Sequence, residues 1–106
     1  MTKSYIFVRR GAVHDVERYE AYRDQIVRLL PRFGGRYIIR GFDEEHLEGD
    51  FALRRDSVLE FPSAEDRMRF WGSEEYARLK ELRTGAVDVD VVALEGYEQL
   101  PKEEKK

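Results

Sequence analysis

Ser57-Val58-Leu59-Glu60-Phe61 runs directly into Pro62-Ser63, and the reading of this short stretch decides the fold. Val, Leu and Phe in so short a run predict a strand. Pro62 has no N–H to give to a ladder and ends it. Ser63 predicts a helix N-cap, with Asp66 at the acidic position of a capping box. Side chains alternate between the faces of a strand. Leu59 and Phe61 therefore share one face, and Val58 and Glu60 share the other. The wholly apolar phase is expected to face helices, which leaves the Glu60 carboxylate on the open face of a sheet.

Working outward, SYIFVR (4–9) is a first strand, broken at Gly11 and the polar His14-Asp15. Asp15 is the expected N-cap of a helix, with Glu17 in its first turn. Val16, Tyr19, Tyr22, Ile26, Leu29, Leu30 and Phe33 recur at helical steps and form one apolar stripe. Pro31 predicts a kink or an end, and Gly34-Gly35 a stop. RYIIRG (36–41) is a second strand, and the acidic stretch 42–54 a long hairpin connection. After SVLEF, a helix runs from the Ser63 cap to Trp71 and stops at Gly72. Ser73 caps a further helix with Tyr76, Leu79 and Leu82 on its apolar face. Thr84-Gly85 closes it, and VDVDVVALEG (87–96) is the last strand. The order β-α-β-β-α-β is that of an α+β, ferredoxin-like protomer with an antiparallel sheet.

In that fold both helical layers cover one side of the sheet. The opposite side is expected to hold Tyr5, Phe7, Ile38, Val58, Val91 and Ala93. Tyr37 and Ile39 are read as one phase of the second strand, and Ile38 and Arg40 as the other. A contiguous apolar face of this kind marks an interface or a ligand groove. A second copy related by two-fold symmetry covers it most simply, so a homodimer through the open sheet face is expected. Arg40 and Glu60 then lie on adjacent strands and on the same face. They are read either as a structural ion pair or as the polar lining of a small cavity.

A chain of 106 residues makes one domain, here 1–98, followed by a charged tail, 99–106. Cysteine is absent, which removes thiol chemistry and Cys-zinc sites. The two histidines, His14 and His46, have no second ligand at a metal spacing, so no metal site is expected. The net charge of −3, with both signs interspersed, offers no basic footprint for nucleic acid and no polybasic membrane patch. RNA-recognition motifs share the strand order, but RRDSVLEF (54–61) lacks their Gly-aromatic pattern and Glu60 would repel phosphate. No apolar leader or spanning segment is legible, and a cytoplasmic location is the expectation.

RYIIRG (36–41), LEGD (47–50), EFPS (60–63), EYARLKELR (75–83) and LEG (94–96) together resemble a widespread bacterial domain-of-unknown-function family of the dimeric α+β barrel superfamily. The resemblance spans roughly residues 5–96. It implies a dimer made by packing two sheets face to face. The superfamily includes cofactor-free monooxygenases, lactone isomerases and haem enzymes; the family itself brings no settled activity. This chain departs from the family pattern at Phe42, usually Gly, and at Phe51, usually Trp. Leu53 stands where Pro is common, and Glu74 where the pattern has Ser-Pro-Glu-Tyr.

Candidate chemistry is sparse. Glu60, Arg40 and Tyr76 are the catalytic candidates. Trp71 is read as core or as the wall of an apolar pocket. Arg83 is read as a helix-end residue or a carboxylate clamp. His46 is read as a solvated loop residue or a pocket group beside LEGD. Asp50 either bonds its own turn or acts as a free carboxylate. No Ser-His-Asp set and no phosphate loop is present. Two functions fit: a cofactor-free oxygenase or isomerase acting on a small, partly apolar metabolite, or a non-enzymatic small-ligand binder or structural dimer.

Overall fold

The computed structural model describes residues 2–41, 43–53 and 55–98, so the tail expected at 99–106 lies outside the described residues. Strand β1 (Ser4–Val13) leads to α1 (Val16–Leu29), and a 3₁₀ turn (Leu30–Phe33) leads to β2 (Arg36–Arg40). Then follow β3 (Ser57–Phe61), α2 (Ala64–Trp71), α3 (Glu74–Arg83) and β4 (Val87–Glu95). The four strands form one sheet in the order β2-β3-β1-β4, every neighbouring pair antiparallel. β3 thus lies between β1 and β2, which is the split arrangement of a mixed α+β fold.

Local chemistry sets the element ends. The side chains of Asp15, Ser63 and Ser73 accept the backbone N–H of Arg18, Asp66 and Tyr76 and so cap the three helices. Pro31 sits in the first turn of the 3₁₀ segment, where its missing N–H is not needed, and Gly34 ends that segment at φ 77°. Gly35 answers a packing demand: a Cβ there would stand 2.6 Å from the Phe61 ring.

The core lies between the sheet and the helices. Ile6, Leu59 and Phe61 supply the sheet side; Ile26, Leu30, Phe70 and Leu79 are among those closing it from the helix side. Val16, placed on the apolar stripe by its spacing, stays 59% exposed at the start of α1.

Three expectations about the strands are corrected. First, β1 does not break at Gly11 but continues to Val13, with an irregularity between Arg10 and Val13. Secondly, the phase of β4 is opposite to that expected. Ala93 pairs with Ile6 and Val91 with Val8, so both face the helices, while Val92 and Leu94 stand on the open face, each 49% exposed. Thirdly, β2 carries a bulge. Tyr37 pairs with Leu59 but Ile39 pairs with Val58, leaving Ile38 as the extra residue. The bulge moves everything after it by one phase, so Arg40, opposite Ser57, turns to the helix side.

Candidate functional site

The bulge therefore separates Arg40 from Glu60, and the ion pair expected between them does not form. Glu60 instead takes Arg36, its cross-strand neighbour, at 3.0 Å, and accepts the Tyr5 hydroxyl at 3.2 Å. Burial, with the Glu60 carboxylate beside it, holds the Tyr5 phenol above its ordinary value. On the same open face Arg9 grips Asp56 through two bonds, of 3.0 and 2.9 Å. The Asp56 carboxylate keeps Arg9 above its ordinary value. The Arg9 guanidinium also stands over the rings of Phe7 and Phe51.

On the other side of the sheet, a cavity of about 80 Å³ opens between the strands and the helices. That is room for roughly five waters, or for a short organic molecule. Its floor is apolar: Ile6, Val8, Leu59, Val89 and Val91 come from the sheet, with Phe70 beside them. Alternation in β1 puts Arg10 on the same side as Ile6 and Val8. Arg23 comes from α1, Arg40 from the end of β2, Arg55 from just before β3, and Arg83 from the last turn of α3. Four tyrosines, Tyr19, Tyr22, Tyr37 and Tyr76, and Ser57 complete the polar lining.

These side chains are ordered by one another. Tyr19 and Tyr22 stack with their centroids 6.4 Å apart. Arg10 and Arg23 both stand over the Tyr19 ring, at 5.9 and 5.8 Å. Arg83 stands over the Tyr22 ring at 5.6 Å and donates to the Tyr76 hydroxyl at 3.3 Å. Tyr76 and Tyr22 share a hydrogen bond of 2.8 Å. Two hydroxyl protons meet in that pair and one bond uses only one of them, so one proton is left to donate elsewhere. Arg40 lies over the Tyr37 ring at 4.5 Å and donates to the Arg23 carbonyl.

The electrostatics are lopsided. No lining residue among those described carries a carboxylate or an imidazole. Among the described residues none of the five guanidiniums has a carboxylate within ion-pair distance. The Glu20 and Asp24 carboxylates stand by a separate shallow groove that Arg23 and Arg40 also border. Among the described residues Arg10 Nε is buried with no hydrogen-bond partner. Burial pushes the Tyr22 phenol far up and the Tyr37 phenol up to about 12, the Arg40 charge pulling Tyr37 the other way. At Arg83 burial works against the charge, but the Tyr76 and Tyr22 hydroxyls together outweigh it and the net value is raised. The cavity thus presents cations and neutral donors.

Of the residues singled out in the sequence, Arg40, Tyr76, Trp71 and Arg83 line this cavity together. Trp71 forms an outer wall, 5.2 Å from the Tyr76 ring and under the Lys80 ammonium at 4.3 Å. Glu60 is on the opposite side of the sheet. His46 is exposed and contacts Glu44 in the hairpin connection, and Asp50 is exposed in the same segment. His14 pairs with Asp88 at 3.1 Å. Arg10, Arg23 and Arg55 were missed in the sequence, where single arginines read as surface residues. For Arg10 a signal existed, since it continues the inward phase of Ile6 and Val8.

Residues 3–97 match the family described as domain of unknown function DUF1330, and the chain belongs to that family. Among solved structures it is similar to RPA0582, a protein of unknown function from Rhodopseudomonas palustris. The TM-score is 0.68 at 20% identity, over 92% of this chain and 85% of that one. Methylated RPA0582 gives the same TM-score of 0.68 at 19% identity, over 92% of this chain and 82% of that one. At that identity the likeness is one of fold. No curated protein matches the chain. Among the described residues no helix is long and apolar enough to cross a membrane.

Proposed function

We propose that this protein binds a small organic acid with an apolar body in the cavity between helices and sheet. One observation carries the reading: five arginines surround one apolar-floored cavity and none is matched by a carboxylate among the described residues. Arg10 and Arg83 are half-buried and Arg23, Arg40 and Arg55 exposed, and a carboxylate suits the fork of a guanidinium. Sites for small molecules are mostly apolar with a few placed polar groups, which is the composition here. Arg83 with Tyr76 clamps one end, Arg40 stands at another, and Trp71 walls the opening.

Between the two functions that the sequence allowed, the lining favours binding. General acid–base work needs a group that exchanges protons near neutral pH. Tyr22 and Tyr37 are moved away from that range, and the described lining offers no carboxylate or histidine. Glu60, Asp50 and His46 stand elsewhere. Isothermal titration with short carboxylic acids tests this. Saturable binding at one acid per chain, weakened at least tenfold in Arg83→Gln, is expected. Absence of saturable binding across the series overturns it.

The same proposal includes a homodimer of the dimeric α+β barrel kind, joined through the open sheet face. Support comes from the apolar residues exposed there, Ile39, Val92 and Leu94, beside Phe7 and Val58. Native mass spectrometry is expected to give twice the chain mass, and Phe7→Glu the chain mass alone. A wild-type monomer removes this part of the reading and leaves the cavity standing.

A further inference from the structure

Three of the five cations of the cavity fall into two groups. Arg10 and Arg23 converge on the face of Tyr19, at 5.9 and 5.8 Å. Arg83 stands over Tyr22 and is bonded to Tyr76. The stacked pair Tyr19–Tyr22, with centroids 6.4 Å apart, separates the two groups. Between them the floor is apolar. Each group has donors to spare. In the first, Arg10 Nε is buried without a partner among the described residues, a condition that calls for an acceptor. In the second, one hydroxyl proton of the Tyr22–Tyr76 pair has no use inside the pair.

A monocarboxylate satisfies one group and leaves the other as it was. A chain with a carboxylate at each end satisfies both. A cavity of about 80 Å³ admits little more than a short chain. The arginine excess is local, because the whole chain has a net charge of −3. Resting on the acid-binding reading above, we infer that the occupant is a short dicarboxylic acid. One carboxylate sits against Arg10 and Arg23; the other sits against Arg83 and the Tyr22–Tyr76 pair. Arg10 is then a ligand-binding residue that sets preference for the diacid over the monoacid.

Titrating the protein with succinate and with butyrate, which share a four-carbon chain, separates the possibilities. Succinate is expected to bind at least tenfold more tightly, and Arg10→Gln to bring the two acids within about twofold. Arg23→Gln is expected to narrow the gap as well, which covers a failure of the Arg10 variant to fold. Arg36→Gln, on the open face, is expected to leave the gap intact. Equal binding of the two acids, or tighter butyrate, overturns the diacid inference while the acid-binding cleft stands. If Arg36→Gln closes the gap as Arg10→Gln does, overall charge explains it and the inference falls. If neither acid binds, the acid-binding reading itself fails.

Discussion

The two faces of the sheet treat charge in opposite ways. On the open face Arg36 meets Glu60 and Arg9 meets Asp56, each cation beside its own anion. On the helix side five arginines gather around one cavity, and among the described residues none has such a partner. The open face therefore carries matched charges and the helix side, among the described residues, unmatched ones.

The largest expected effect tests the assignment of faces on β3. Phe61→Ala, which removes a fully buried ring, should cost about 4 kcal/mol in urea unfolding. A loss under about 1 kcal/mol would mean that Phe61 is not the core residue it is taken to be. Next comes alkaline pH. Burial lifts the Tyr37 phenol from 10.0 to about 12, so the folded state holds that proton longer than the unfolded state. The stabilisation is complete below pH 10 and is lost as the pH rises through about 12. Thermal midpoints should fall over that window, and Tyr37→Phe should flatten the fall; an unchanged slope would remove Tyr37 from the cavity wall.

A smaller effect is expected one residue before Phe61. Glu60→Gln keeps an acceptor for Arg36 and Tyr5, and Arg36 is 69% exposed, so the loss should stay below about 1 kcal/mol. If Glu60→Gln cost as much as Phe61→Ala, the contrast between the faces would break. The smallest effect has the most telling sign. Arg23→Gln removes a cation that has no carboxylate partner among the described residues, so stability should change by no more than about 0.5 kcal/mol and should tend upward. A clear loss in melting temperature would show that Arg23 holds the fold together instead of serving a ligand.

The fold was legible because its punctuation is local. Asp15, Ser63 and Ser73 announce the helix starts, Pro62 ends β3, and the stripe through Tyr22, Ile26 and Leu29 has one helical period. The phase of β3 was legible for the same reason: one face is wholly apolar. The phase of β4 was written in Val87-Asp88-Val89-Asp90-Val91, whose aspartates mark the open face, but the run Val91-Val92-Ala93-Leu94, apolar on both faces, hid it. The β2 bulge was also hidden. RYIIR has no glycine to mark it, and register depends on the partner strand. That single extra residue carried Arg40 from one face to the other and so concealed half of the site. Trp71, Tyr76 and Arg83 were visible as an aromatic cluster with a nearby cation. Arg10 could have been placed from β1 alone, but Arg23 and Arg55 needed the packing of α1 and the hairpin connection over the sheet.

Side-chain nuclear magnetic resonance of the arginine Nε–H groups, followed during addition of butyrate, tests the contrast between the faces most directly. The account predicts a saturable shift at Arg10 or at Arg83, with Arg9 and Arg36 unmoved. Shifts at Arg9 and Arg36 instead, or no saturable shift at any of the four, would contradict it.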